Sequence, residues 1–286
     1  MNGECISQLK DTSSYKRLLL FLIVSCGVKN GAYRFRWSVE IMMWGISSHR
    51  IRSADPELVQ RSSDEQFLDS IGEVDVKCAD NKIKHMCNKR DSILESLERK
   101  TVQITALNVD IVNSTERVKT LPDEATGEYY KTFLENASDL IEFYGGYVLK
   151  NVGDCVIGFF PCSKYYIENH DKAVLCGLAM SHMLDSLTPY LVQKNIPEIK
   201  CRISADFGAA KVIRIGSPDG YSMIDLFGKA INSAAKISRY AKPGQMVVGD
   251  DLLRQLIHDD VFEFKLINRW SLTGKYPYSA YTVWLK

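Results

Sequence analysis

After Lys100 the chain becomes a regular succession of strand-like and helix-like segments, which restricts it to a sheet covered by helices. Val102, Ile104 and Ala106 alternate with Gln103 and Thr105, the period of a half-buried strand, and lead into Leu107-Asn108-Val109-Asp110-Ile111. Tyr130, Phe133, Ala137, Leu140, Ile141 and Tyr144 recur at helical spacing and predict a helix over about 128–144, stopped by Gly145-Gly146. Residues 147–149 and 156–160 read as a hairpin around the turn Asn151-Val152-Gly153-Asp154. A second helix is expected over about 171–187, stopped by Pro189, followed by strands near 199–205 and 209–213. A helix over 229–239, a strand at 246–248 and a last strand near 279–284 complete an α+β, largely antiparallel arrangement.

The part before Lys100 is different. Residues 1–53 carry eight basic side chains (Lys10, Lys16, Arg17, Lys29, Arg34, Arg36, Arg50, Arg52) against three acidic ones (Glu4, Asp11, Glu40), enough excess to rest on an anionic membrane surface. No clean period runs through it, so residues 1–80 are expected to be a poorly ordered extension. The apolar run Leu18 to Cys26 is far short of the roughly 20 residues a spanning helix needs and reads as an apolar strand or an extension. Ile23-Val24-Ser25-Cys26 is similar to a bacterial lipobox, a reading that Glu4 and Asp11 in the preceding leader disfavour. Acidic residues cluster between Asp55 and Asp75 and mark a shift in composition. Over 81–100, Ile83, Met86, Ile93 and Leu97 recur at helical steps, with Arg90 in the remaining seam position. A seam so short and charged predicts a helix that adds to a dimer interface made elsewhere rather than a coiled coil.

Charge is balanced, 36 Lys plus Arg against 35 Asp plus Glu, so a nucleic-acid partner has no electrostatic support. The eight cysteines include no Cys-x-x-Cys pair, and neither they nor the five histidines fall at zinc spacing. They read as reduced thiols of a cytoplasmic protein.

Two carboxylates stand out by position. Asp110 ends the first strand after Lys100, and Asp154 lies in the turn of the hairpin that such a sheet sets beside it. With strands about 4.8 Å apart, acids at neighbouring ends can share hard cations, as phosphoryl transfer through paired magnesium ions requires. Either acid alone is more simply a residue bonding its local backbone.

Asn108-Val109-Asp110-Ile111-Val112-Asn113-Ser114-Thr115 resembles the Phe-Ala-Asp-Ile-x-Gly-Phe-Thr metal signature of class III adenylate and guanylate cyclases. The segment Lys150-Asn151-Val152-Gly153-Asp154 is similar to that family's Lys-x-x-Gly-Asp turn. Asp225-Leu226-Phe227-Gly228 through Asn232-Ser233-Ala234-Ala235-Lys236 resembles its base-reading and phosphate-closing segment, and Ala241-Lys242-Pro243-Gly244-Gln245 its following turn. Four segments in order over about 185 residues make the resemblance specific.

The resemblance implies a ferredoxin-like, palm-type catalytic domain over 101–286, with a linker or dimerisation helix at 81–100. It implies that Asp110 and Asp154, with the backbone carbonyl of Ile111, hold two Mg²⁺ or Mn²⁺ ions. Lys150 and Asp225 fall where adenine-specific members read adenine, Asn232 where the ribose is oriented, and Lys275 where the terminal phosphates are contacted. Lys236 stands where the family has the arginine that steadies the α-phosphate, and lysine lacks the planar fork. Asn113-Ser114 replaces Gly-Phe; asparagine tolerates the left-handed conformation that the glycine would take. The implied assembly is a homodimer in which one copy supplies the metal set and the other the base set, acting on ATP to give cyclic AMP. A guanylate cyclase, or a weakly active or inactive nucleotide-binding module, is the alternative, the latter resting on Lys236.

Overall fold

The computed structural model describes residues 18–29, 32–43, 89–162, 169–217, 220, 222–271 and 277–286. The chain divides into two units, Met1–Lys84 and His85–Lys286. In the first, β1 (Leu18–Lys29) and β2 (Ala32–Met43) pair antiparallel in unbroken register from Leu18↔Met43 to Lys29↔Ala32. The run Leu18 to Cys26 is thus strand. The acidic cluster at 55–75, the boundary near residue 80 and the first turns of the expected helix, 81–88, lie outside the described residues.

The second unit opens with helix α1 (residues 89–96). Its apolar seam is used against the unit's own sheet: Leu94 is fully buried, and Ile93 and Leu97 pack beside it, on a cluster of Ile104, Ala106, Leu149, Phe159, Val212 and Leu226. Burying a leucine in this way contributes about 1.5–3 kcal/mol. Arg90 belongs in this seam because its guanidinium donates to the Leu149 carbonyl at 3.1 Å, giving the buried backbone a partner.

There follow β3 (Thr101–Ile111), α2 (Ser114–Val118), α3 (Asp123–Phe143), β4 (Tyr147–Val152), β5 (Cys155–Cys162), α4 (Asn169–Gln193), β6 (Cys201–Gly216) and β7 (Ser222–Gly228). Then come α5 (Lys229–Ile237), β8 (Met246–Gly249), α6 (Asp250–Leu253), β9 (Phe262–Ser271) and β10 (Pro277–Leu285). The sheet has eight strands in the order β4-β5-β3-β6-β8-β10-β9, with β7 paired to β6. Among the described strands only β6 and β8 run parallel, so the architecture is the expected α+β, mostly antiparallel one.

Side-chain alternation along β3 divides the layers. Ile104 and Ala106 face α1 and α5, where they meet Ala230 and Ala234. Thr105, on the other face, bonds His170 of α4 at 2.9 Å, and α3 and α4 bury Phe133, Leu140, Met180 and Leu184. Helix α3 ends where Gly145 and Gly146 return their amides to Glu142 and Ile141, the stop that the glycine pair predicts.

Three elements depart from the expectation. Helix α4 runs through Pro189 to Gln193: Leu187 and Leu191 on either side are fully buried, and their packing offsets the roughly 3 kcal/mol that a helix-interior proline costs through its lost hydrogen bond and ring clash. It ends instead at Asn195, with φ 56°, where the Ile196 amide closes on the Leu191 carbonyl at 2.8 Å. The two strands expected near 199–205 and 209–213 are one strand of 16 residues. The third is β7, where no strand was expected: it carries Asp225 and turns back on the outer half of β6 to form a two-stranded arm.

Candidate active site

Asp110 and Asp154 are brought together by the register of β3 and β5. Asp110 pairs with Cys155, the residue after Asp154, and the Ile111 amide donates to the Asp154 carbonyl at 3.3 Å. Gly153, at φ 61°, makes the β4–β5 turn that presents Asp154. Asn113 takes the left-handed conformation, φ 57° and ψ 32°, that the asparagine predicts, and reverses the chain after β3. The reversal brings Ser114, almost fully buried, to donate its hydroxyl to the Asp154 carboxylate.

Burial raises the Asp110 carboxyl above the ordinary aspartate range, the Asp154 charge raises it further, and Arg202, opposite on β6, counteracts them. Two anions that destabilise each other at the end of a strand pair are a donor set suited to hard divalent cations. Soft ligation is disfavoured: burial pushes the Cys155 thiol up to about 12, and it stays protonated, donating to Asn108 Oδ1 at 3.1 Å. Among the described residues no group of three or more His, Cys, Asp or Glu side chains is arranged to hold a metal ion, so an ion here would rely on these two carboxylates, main-chain oxygen such as that of Ile111, and its own other ligands. The phenol of Tyr129, near enough to feel the Asp154 charge, is fully buried without a hydrogen-bond partner among the described residues, and burial raises it to about 12.

Lys150 and Asp225 also meet. A bulge in β4 between Val148 and Lys150 sets Lys150 opposite Ile157, and its ammonium pairs with Asp225 Oδ2. The Asp225 side chain is only 5 % exposed and also accepts from the Leu226 amide at 2.8 Å. The Lys150 nitrogen lies 5.6 Å from the centre of the exposed Phe227 ring. The arrangement offers one donor, one acceptor and an aromatic face side by side.

Asn232 and Lys236 lie on the exposed side of α5, whose other side buries Ala230, Ser233, Ala234 and Ile237. The start of this helix is set by Gly228: a Cβ there would fall 2.3 Å from the Ala209 carbonyl oxygen. Ser204 fastens the helix to β6 through the Ala234 carbonyl at 2.8 Å. Lys275 lies outside the described residues. Arg202 and the Ser114 hydroxyl were not singled out from sequence as site groups, since the first depends on β3–β6 register and the second on the path of the turn after Asn113.

A family model described as the adenylate and guanylate cyclase catalytic domain matches residues 97–286. A uridylate cyclase of Burkholderia cepacia is 28 % identical over 204 residues, 69 % of this chain and 87 % of that protein. A uridylate cyclase of Rhodovulum sp. (strain MB263) is 28 % identical over 144 residues, 48 % of this chain and 58 % of that protein. Among solved structures, the adenylyl cyclase CyaB from P. aeruginosa superposes with a TM-score of 0.60 at 22 % identity, covering 65 % of this chain and 96 % of that one. The guanylate cyclase domain of RhGC from Catenaria anguillulae, in complex with GTP, superposes at 0.57 with 18 % identity, covering 65 % of this chain and 99 % of that one. These two show the same fold, and the family match, spanning most of the chain, identifies it: the chain belongs to the adenylate and guanylate cyclase catalytic-domain family.

Proposed function

We propose that this chain is an adenylate cyclase, converting ATP to 3′,5′-cyclic AMP and pyrophosphate in sites that two copies of the chain build between them. The observation that carries the reading is the Lys150–Asp225 pair, standing where adenine-specific members of the family keep a lysine and an aspartate: an ammonium can donate to a ring nitrogen of adenine while the carboxylate accepts from the exocyclic amine.

Asp110 and Asp154, with the Ile111 carbonyl, would hold two Mg²⁺ or Mn²⁺ ions. When bound, such ions lower the pKa of the ribose 3′-hydroxyl and offset triphosphate charge. Asn232 orients the ribose, and Lys236 brings positive charge to the α-phosphate as its bond to the 3′-oxygen forms and the bond to pyrophosphate breaks. The hydroxyl proton is released, and no covalent enzyme intermediate is needed. Lys275 contacts the terminal phosphates.

Homodimerisation is supported by the arm of β6 and β7. Its register puts Ile213, Ile215, Met223 and Phe227 on the face that carries Asp225, and all four are exposed. Apolar side chains gathered around a half-built site suit cover by a second copy. No helix among the described residues is long and apolar enough to cross a membrane. Cys155, Cys162, Cys176 and Cys201 are free thiols, which supports a reducing, cytoplasmic setting.

A second reading, cyclisation of UTP, is favoured by the two relatives named uridylate cyclase. Uracil offers a carbonyl acceptor beside a ring N–H donor, so the same ammonium and carboxylate complement it too. Purified protein incubated with ATP, GTP, CTP and UTP in equal amounts, with Mg²⁺ or Mn²⁺, and resolved by chromatography decides the matter. Cyclic AMP as the dominant product is expected; dominant cyclic UMP would replace the adenylate assignment, and no cyclic product from any of the four would remove the cyclase reading.

A further inference from the structure

Asp154 is gripped at two points by the segment that follows Asp110. Its backbone carbonyl accepts from the Ile111 amide at 3.3 Å, and its carboxylate Oδ2 accepts from the Ser114 hydroxyl. Ser114 has little freedom to do otherwise: it is 6 % exposed, it opens the short helix α2, and the left-handed Asn113 before it turns it back toward the β4–β5 turn. Where the family signature has phenylalanine, this chain therefore carries a donor aimed at one of its two metal-set acids. The contact fixes Oδ2 and leaves Oδ1 as the freer oxygen.

The geometry points to Ser114 as a positioning residue of the ion site, a role that rests on the assignment of Asp110 and Asp154 as the cation-holding pair. An Asp154 side chain free to rotate would lose entropy on capturing an ion, and Ser114 removes much of that loss in advance. The hydroxyl also offsets part of the repulsion between the two carboxylates before an ion arrives, through a charge-assisted hydrogen bond. Ser114 touches neither the base-reading pair nor α5 in any hydrogen bond that the structure contains among the described residues, so its effect belongs to ion capture.

Binding of Mn²⁺ to the full-length protein, followed by loss of the free-ion electron paramagnetic resonance signal and paired with thermal melts, tests this in four forms: wild type, Ser114→Ala, Ser114→Thr and Asp154→Asn. Ser114→Ala is expected to weaken Mn²⁺ binding about tenfold, while Ser114→Thr, which keeps the hydroxyl, stays within about twofold of wild type. Asp154→Asn should abolish saturable binding. If Asp154→Asn loses the ion but Ser114→Ala binds it as tightly as wild type, Ser114 has no positioning role and the carboxylate assignment survives. Equal weakening by alanine and threonine, in proteins that melt as the wild type does, also overturns the role of the hydroxyl. Wild-type binding by Asp154→Asn, or no saturable binding by the wild type, overturns the carboxylate assignment and this inference with it.

Discussion

Lys150 and Asp225 form an ion pair although β4 and β7 are four places apart across the sheet, with β5, β3 and β6 between them. At about 4.8 Å per strand a flat sheet would hold them roughly 19 Å apart. The arm of β6 and β7 therefore curls over the face that carries α1 and α5, and Leu149 and Leu226, neighbours of the pair, share one buried cluster beneath it. The meeting of Lys150 with Asp225 is thus a product of sheet curvature.

Lys150→Ala would leave the buried Asp225 carboxylate with the Leu226 amide as its remaining partner. A stability loss of about 1–3 kcal/mol is expected from the unpaired acid. Loss of one base contact should raise KM for the preferred nucleotide by roughly tenfold to a hundredfold, with a smaller change in kcat. Denaturant titration and steady-state kinetics on the same preparations check both effects.

Lys236 is exposed at the last turn of α5, on the side shared with Asn232. Lys236→Arg should raise kcat, by about tenfold, because a guanidinium can hold two phosphate oxygens where an ammonium offers a point charge. A lower kcat in a protein of unchanged stability would count against placing this residue at the α-phosphate.

Asp206 is a buried carboxyl at the junction of β6, β10 and α6. Tyr278 donates to it, as do the amides of Phe207 at 2.9 Å and Leu252 at 3.3 Å. Burial outweighs these donors and lifts it from the ordinary 3.8 to about 7. The native state thus holds a proton that the unfolded chain releases, so this group makes stability fall as pH rises from about 4 to about 7, with no further change above. Asp206→Asn should flatten that part of the profile. Denaturation midpoints at pH 5 and pH 8 give the comparison, with a larger drop expected in the wild type.

Tyr129 buries a hydroxyl that has no partner among the described residues. Tyr129→Phe removes the unsatisfied group and keeps the ring, so it should leave stability unchanged or raise it by about 1 kcal/mol. A loss of stability in the phenylalanine variant would mean that the hydroxyl has a bound partner, a water or a ligand.

Much of this was legible from sequence because the strand and helix periods after Lys100 are strong and local. The turn Asn151 to Asp154, the stop at Gly145-Gly146 and the left-handed Asn113 all follow from residue types that favour those conformations. Pro189 misled, since burial of Leu187 and Leu191 outweighs the lost hydrogen bond and ring clash of a proline inside a helix. The β1–β2 hairpin carried a local signal in Asn30-Gly31 between two strand-like runs, which the charge pattern of that region obscured. Arg202 beside Asp110 was hidden for a different reason: it depends on which strands become neighbours and has no one-dimensional signature. That Lys150 and Asp225 belong together was implied only by the family resemblance, since their meeting depends on how the arm bends and no local period marks it.

The most direct measurement mixes two dead proteins. Asp110→Ala removes a residue of the proposed metal set and Asn232→Ala one of the proposed opposing set, and each variant alone should lose nearly all activity while staying folded. If each site draws on both copies, random exchange of subunits gives half heterodimers, each with one intact site, and the mixture should regain about a quarter of wild-type activity. A mixture that stays inactive, although heterodimers are shown to form, would contradict a site shared between subunits.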